Sequence, residues 1–426
     1  MQLDQATPEQ LRQWESQLAA EYQSICAQKL NLDLTRGKPS AEQLSLSDAL
    51  DGLLNGNYIA ADGTDTRNYG GLDGLPEAKS LGANILGVSA SDILVGGNSS
   101  LTLMFQVMLT AHLFGFKDAA SAWKNEEDIK FICPVPGYDR HYTVCEQLGI
   151  KMVNVPMTST GPDMDAVESL IKADSAIKGI WCVPKYSNPT GVVYSDETVE
   201  RIAKLGQIAS ANFRVFWDNA YGVHDLIDNP PQLASILEAT RRQGTEDSVI
   251  QFGSTSKITH AGSGVAFVAA SATNLAGLKK FLNTCTIGPD KVNQIRHSRF
   301  LPNADALMAH MKKHAALLNP RFDAVLTALA EAFENTDLGA WEKPTGGYFV
   351  SFDTRKNCAK ETVRLAAEAG VKLTPAGSTY PYGRDAEDRN IRIAPSVPTV
   401  PEVIAAMKVF VICVKLASVR QQLTSC

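Results

Sequence analysis

Apolar residues at Leu11, Trp14, Leu18 and Tyr22 recur at the three-to-four-residue spacing of an amphipathic helix, and Thr7 followed by Pro8 supplies its cap and first turn. The chain is therefore expected to open with a helix. From about residue 91 a different rhythm takes over, in which short apolar runs alternate with helical stretches. DILVGG precedes the helical SLTLMFQVMLTAHLF, DIKFICPVP precedes YDRHYTVCEQLG, and KMVNVP precedes a helix beginning near Asp163. KGIWCVP, a helix near SDETVERIAKLGQIA, FRVFWD and SVIQFG continue the series. Strand and helix in alternation predict a parallel sheet covered by helices on both faces.

After about Asn303 the pattern becomes long helical segments interrupted at Pro320, then GGYFVSF, a helix near KETVRLAAEAG, NIRIAP and a terminal helix from about Pro401. The expected architecture is α/β: a large domain over 56–303 with a mainly parallel sheet, and a smaller, discontinuous α+β domain. The smaller domain combines 304–426 with 1–55, because the opening helix has no place in the parallel sheet. A chain of 426 residues has room for both.

Composition narrows the function. A formal net charge of -6 without a basic cluster argues against a nucleic-acid partner and points to small-molecule ligands. The opening MQLDQATPEQLRQW lacks the basic and apolar regions of a secretory leader, and no run is long and apolar enough to span a membrane. The expectation is a cytoplasmic protein. Cysteines at 26, 133, 145, 182, 285, 358, 413 and 426 show neither CxxC nor zinc-site spacing, so no metal site is expected and most read as small core residues.

In open α/β sheets ligands bind beyond the carboxyl ends of the strands. Here those ends read VGGNSSL, CPVPGYDRH, VPKYSNPTG, WDNAYG and FGSTSK. Each alone is ordinary turn chemistry, and Lys257, the single charge in QFGSTSKITHAGSG, alone would be a surface lysine. Together they complement one another. Asn98, Ser99 and Ser100 precede an apolar helix whose first N–H groups can hold a phosphate, or can simply be capped. Asp218 ends a buried run and needs a cationic or hydrogen-bonding partner, with Tyr221 one turn further on. Tyr138 offers an aromatic face or fills a core. A planar, phosphorylated, nitrogen-containing ring uses all of these, and a lysine can bind it covalently. Pyridoxal phosphate meets that description.

On an ordered set of residues the sequence resembles the class I aminotransferases, which are fold type I pyridoxal phosphate enzymes. The set is Gly37 in DLTRGKP, Tyr69 in NYGGLDGLPEAK, Asn188 in SNPTG, Asp218 and Tyr221 in DNAY, Lys257 in STSK, and Arg392 in NIRIAP. DLTRGKPS and the Lys257 region are similar to the bacterial aspartate aminotransferases of subgroup Ic. The resemblance implies that Lys257 forms a Schiff base with the cofactor and shuttles the substrate proton, and that Asp218 pairs with the ring nitrogen, with His141 behind it. It implies that Asn188 and Tyr221 reach the phenolic oxygen, Tyr138 stacks on the ring, and Ser99, Ser100, Ser254 and Ser256 with Asn98 hold the phosphate. Tyr69 would reach the phosphate of a neighbouring subunit, which implies a homodimer with shared active sites. Gly37, Lys38, Asn188 and Arg392 fall to the substrate, with Arg392 on its α-carboxylate.

Two departures stand out. KITHAGSGVAF lacks the phosphate-clamping arginine of many relatives, leaving His260, Ser263 and backbone N–H groups as substitutes. No arginine clearly matches the one that reads the distal carboxylate, and Lys38, Arg140, Lys291, Arg296 and Arg299 are the candidates. The expected reaction is ping-pong transfer of an amino group from L-aspartate to 2-oxoglutarate. The alternatives are an aminotransferase for alanine, aromatic or 2-aminoadipate substrates and a lyase on the same scaffold. A transcription regulator on this scaffold is disfavoured by the acidic balance and by the roughly 30 residues ahead of the match.

Overall fold

The computed structural model describes residues 2–425; Cys426 lies outside them. The opening helix α1 (Pro8–Cys26) starts at a reciprocal cap: Thr7 Oγ1 accepts from the Gln10 backbone N–H, and the Gln10 side chain accepts from that of Thr7. Leu11, Leu18, Tyr22 and Ile25 form its buried face. A short helix, α2 (Ala41–Ser45), begins at a similar cap on Ser40.

The main sheet has eight strands: β1 (Ile93–Val95), β2 (Lys130–Val135), β3 (Lys151–Thr158), β4 (Gly161–Pro162), β5 (Ile177–Cys182), β6 (Arg214–Asp218), β7 (Val249–Ser254) and β8 (Ala266–Ala270). Their spatial order is β1-β8-β7-β6-β5-β2-β3-β4. The five strands from β3 through β2, β5 and β6 to β7 pair in parallel, as the alternating pattern predicts. β4 is a two-residue antiparallel addition at one edge.

At the other edge the structure departs from the simple alternation. β8, which the pattern does not single out, inserts antiparallel between β7 and β1. Its sequence AFVAA is buried throughout and follows a glycine-rich turn, so neither polar alternation nor β-branched enrichment marks it. Two reversals leave β1 running the same way as the parallel strands. The carboxyl end of β1 thus joins theirs at one edge of the sheet.

A second core gathers residues from both chain ends. β9 (Gly339–Trp341), β10 (Val350–Thr354) and β11 (Asn390–Ile393) make an antiparallel sheet. Phe352 and Ile391 from this sheet pack with Leu11 and Leu18 of α1 and with Val325 and Phe410 from two late helices. Leu32–Asp33 also pairs in parallel with Val371–Lys372, tying the segment after α1 to the C-terminal part.

Between α1 and α2 and these late elements, α3 (Ser100–Leu109) and α4 (Asp139–Gln147) follow β1 and β2; α5 (Ala304–Phe333) and α6 (Val400–Ser425) close the chain. The interruption expected at Pro320 is absent, because α5 runs unbroken through it. A proline inside a helix removes one backbone bond and crowds the preceding turn. Here the Arg321 guanidinium donates to the Leu317 carbonyl in that turn, while its Nε reaches Pro398 O at 2.8 Å and Nη2 reaches Glu42 at 2.6 Å. These bonds give the helix tertiary support where it loses its own.

Five of the described cysteines are buried, Cys26 is half-buried and Cys285 exposed, and all are free. Burial pushes the Cys145 thiol up to about 12. Among the described residues no helix is long and apolar enough to cross a membrane.

Candidate active site

The common strand edge opens onto a cavity of about 140 Å³. Its floor and walls come from the segments after successive strands: Ser99 and Ser100 after β1, Tyr138 after β2, Asn188 after β5, Asp218 and Tyr221 at β6, and Ser254, Ser256 and Lys257 at β7. Val183, Ala220, Leu101 and Met104 complete the lining with apolar surface. A larger open groove, about 720 Å³, lies between α1, α5 and α6, but its lining is mainly helix-face aliphatics such as Leu18, Ile25, Met407 and Ile412. The convergent polar groups belong to the smaller cavity at the sheet edge.

Asp218 is the last residue of β6 and is 3 % exposed. His141 on α4 sits behind it, with Nε2 at 3.0 Å from Oδ2. The imidazole is itself fixed, stacked on Trp181 at 4.2 Å between ring centroids and meeting Tyr138 edge-on. The other carboxylate oxygen, Oδ1, is buried without a partner. Leaving it so is costly, and a donor in the cavity would satisfy it.

The lysine lies across the same space. Its Nζ is 4.9 Å from the centre of the Tyr221 ring. Burial, reinforced by the Asp218 charge, raises the Tyr221 phenol above its ordinary range and keeps it a neutral donor. Burial likewise pushes Tyr138 up to about 12, against the pull of the Lys257 charge.

At the head of α3, Ser99 occupies the cap position yet its side chain makes no capping bond, so hydroxyl and leading N–H groups remain available to an anion. Ser256 braces this corner by donating to Asn98 O at 2.9 Å, and it lies 3.2 Å from Ser254 Oγ. Asn98 itself donates from its side chain to Gly262 O at 3.2 Å.

Arg392 enters from β11 of the second core and is 8 % exposed. Nη1 donates to Asn188 Oδ1 at 3.2 Å, Nη2 to Thr35 O at 3.3 Å, and the guanidinium lies 4.7 Å over the Phe349 ring. Burial lowers its pKa, an effect partly offset by Asp139, whose carboxylate is 3.8 Å away. Gly37 packs so closely on Phe349 that a Cβ there would fall 2.4 Å from the ring. Lys38 accepts from Ser396 Oγ through its carbonyl at 2.8 Å and keeps an exposed side chain.

Other expected residues lie elsewhere. Tyr69 is 84 % exposed and outside the cavity of its own chain. His260 faces Asp48 at 3.5 Å, and the Ser263 carbonyl accepts from Asn293. Lys291 donates to Gly70 O at 2.5 Å, Arg296 to Asn293 Oδ1 at 2.7 Å, and Arg299 to Asn57 O at 2.6 Å. Arg140 is exposed on α4. None of these cations lines the cavity. Sequence reasoning missed Thr35, Asp139, Trp181 and Phe349, whose roles come from contacts across the fold. Each lies inside a stretch already singled out, DLTRGKP, CPVPGYDRH, KGIWCVP or GGYFVSF, but nothing local says what it will touch.

The family model described as aspartate amino-transferase matches residues 6–425. An aspartate aminotransferase of Corynebacterium glutamicum is 44% identical over 398 residues, 93% of this chain and 92% of that protein. The crystal structure of an aspartate transaminase from the same species superposes with a TM-score of 0.96 at 42% identity, covering 99% of each chain. An α-aminoadipate aminotransferase from Thermus thermophilus, solved with N-(5'-phosphopyridoxyl)-L-leucine, shares the fold at a TM-score of 0.73 and 20% identity over 96% of this chain and 97% of that one.

Proposed function

The chain belongs to the aspartate aminotransferase family and is an aminotransferase, and from that premise we propose that it transfers the amino group of L-aspartate to 2-oxoglutarate with pyridoxal phosphate held at Lys257. The observation that carries this reading is the pairing of one free lysine amine with one unpartnered carboxylate oxygen, Asp218 Oδ1, around a single cavity. A protonated ring nitrogen supplies the donor that oxygen lacks. Uncapped serines at the head of α3 suit a phosphate.

In this reading Lys257 anchors the cofactor, Tyr138 covers its ring, Asn188 and Tyr221 donate to its phenolic oxygen, and Ser99, Ser100, Ser254 and Ser256 surround its phosphate. Bound there, the cofactor supplies an electron sink that lets the bond between the substrate α-carbon and its hydrogen break. The chain's own residues do the rest. Asp218, oriented by His141, holds a proton on the nitrogen facing it through charge pairing. Released when the substrate amine takes its place, the Lys257 amine would accept the α-proton and deliver it across the substrate nitrogen, two atoms from the α-carbon. Arg392 receives the substrate α-carboxylate with a two-pronged contact, its angle preset by Asn188, Thr35 and the Phe349 ring.

Two features favour a homodimer whose sites are completed across subunits. Tyr69 is exposed and does not line its own cavity, and no cation for a distal carboxylate lines that cavity. The second point also supports a broader amino-acid specificity as the alternative reading. The division of the chain into a cofactor-binding part over 56–303 and a smaller part from 1–55 and 304–426 belongs to the same proposal.

The test is the first half-reaction. L-Aspartate, without a keto acid, is added to the cofactor-loaded protein while the cofactor absorbance is followed and oxaloacetate assayed, with L-alanine and L-phenylalanine in parallel. Faster conversion by aspartate supports the dicarboxylate reading. Equal or faster conversion by the others removes aspartate and leaves the broader aminotransferase.

A further inference from the structure

Around the backbone of Lys257 and Ile258, outside the lining of the cavity, lies a set of buried histidines that the reaction does not use. His310 and His314, one turn apart on the same face of α5, both point Nε2 at the Ile258 carbonyl, at 2.8 and 2.9 Å. His224, six residues beyond Asp218, points Nε2 at the Lys257 carbonyl at 3.2 Å. Tyr348 brings its hydroxyl to the same carbonyl at 3.5 Å. All four side chains are buried.

A carbonyl oxygen only accepts, so each of these nitrogens carries a hydrogen. In the neutral ring the opposite nitrogen is then an acceptor, and His314 Nδ1 receives Gln43 Nε2 at 3.0 Å. The second hydrogen of that amide goes to Tyr348 Oη at 2.9 Å, leaving the phenol to donate toward Lys257. Gln43 Oε1 accepts from the Ser40 backbone at 3.1 Å. From Gln43 through His314 and Tyr348 to the two carbonyls the donors and acceptors have one consistent assignment, while His310 Nε2 also lies 3.4 Å from Ser47 Oγ and 3.2 Å from His314 Nε2, and His224 Nδ1 is buried without a partner. Burial lowers the affinity of His224, His310 and His314 for a second proton, which keeps that assignment.

A carbonyl oxygen has two lone pairs, and most accept a single bond within their own helix or strand. Here four donors from three separate parts of the chain converge on two consecutive carbonyls, those of the lysine and its neighbour. The amides of residues 258 and 259 bond back to Thr255 O at 2.8 Å, so the turn is held from both sides. The amine at the end of a flexible four-carbon stem is only as well placed as its backbone. The remote end of the chain, Gln43, also lies a few residues beyond Thr35, whose carbonyl holds Arg392.

We propose that His224, His310 and His314, joined by Gln43 and Tyr348, are positioning residues that fix the Lys257 backbone so that its amine faces the Asp218 carboxylate across the cavity. The proposal rests on reading Lys257 as the reactive amine.

The test compares variants that keep the N–H donor with variants that remove it: His310→Gln with His314→Gln, against His310→Leu with His314→Leu, in the full-length chain. The first readout needs no cofactor. It is the rate at which an amine-acylating reagent labels Lys257 in the cofactor-free protein, followed by peptide mass spectrometry across pH. The second is the split between kcat and KM in the loaded enzyme. The leucine pair is expected to change Lys257 labelling severalfold and to lower kcat by about tenfold or more with little change in KM, since misplacement of about 1 Å can cost on the order of 100-fold. The glutamine pair is expected to restore most of both. Wild-type labelling in the leucine pair overturns the proposal, as do losses in both pairs that merely follow their melting temperatures. If labelling shifts as expected but no variant or parent transaminates, the positioning role stands and the proposed reaction fails.

Discussion

Asp218 is the residue at which geometry speaks most directly about chemistry. One of its oxygens is occupied by His141 and the other is buried without a partner. Asp218→Asn keeps an acceptor for His141 but removes the charge, so the fold is expected to survive while kcat falls at least ~100-fold, about 2.7 kcal/mol in the barrier. Stopped-flow absorbance of the half-reaction reads this, and a wild-type rate would remove Asp218 from the mechanism. Arg392 makes a different prediction. Arg392→Lys retains charge but loses the planar fork, so KM for amino donor and keto acceptor should each rise about tenfold or more while kcat changes less. Steady-state kinetics with both substrates decides, and unchanged KM values would reassign the carboxylate site. The lining of the cavity was legible in the sequence because each residue follows a strand end within a few positions. Thr35 and Asp139 around Arg392 were not, since they meet it only after the chain ends come together.

Among the elements, α5 shows how tertiary contacts override a local rule. Pro320 reads as a break, and the helix continues because Arg321 ties the adjoining turn to Pro398 and Glu42. Arg321→Met is expected to lower stability by about 3 kcal/mol, the loss of hydrogen bonds from a charged donor. Urea unfolding would measure it, and a change near zero would mean that the proline is accommodated without help. Strand β8 illustrates the converse. Its alanine-rich run gives no pattern, and only its place between β7 and β1 makes it a strand. The rest of the sheet was legible because buried parallel strands read as continuous apolar runs between helices.

Across the whole molecule, several histidines are buried in neutral form. Burial lowers His224 to about 3, with the charges of His314 and Lys257 adding to the effect, and His314 to about 4, where it faces His310. His297 is lowered to about 4, with Arg296 and His260 contributing and Asp290 opposing. The unfolded chain takes up these protons below about pH 6.5 and the folded chain does not. Their contribution to stability is therefore complete above that pH and is lost as pH falls from about 6.5 toward 4. The slope is about 1.4 kcal/mol per histidine per pH unit. Denaturation midpoints at successive pH values test this, and a flat profile between pH 7 and 5 would contradict it. The depressed carboxyls of Asp33 and Asp337 add stability above the ordinary aspartate range and lose it only as pH falls below that range, which separates the two effects.

The two margins of the main sheet have one more consequence. One ends in the three-residue β1 and the other in Gly161–Pro162, where a proline lacks the N–H a further strand would need. β4 covers β3 only at Met157 and Thr158, so the outer side of Lys151–Pro156 is paired by no strand, and there the Tyr382 hydroxyl accepts from the Met152 N–H. An extended peptide meeting the native fold therefore finds a short margin, interrupted by Pro156 and the Tyr382 hydroxyl, rather than a long free template, and self-recognition is left mainly to side-chain surfaces, where shape and charge can choose the partner.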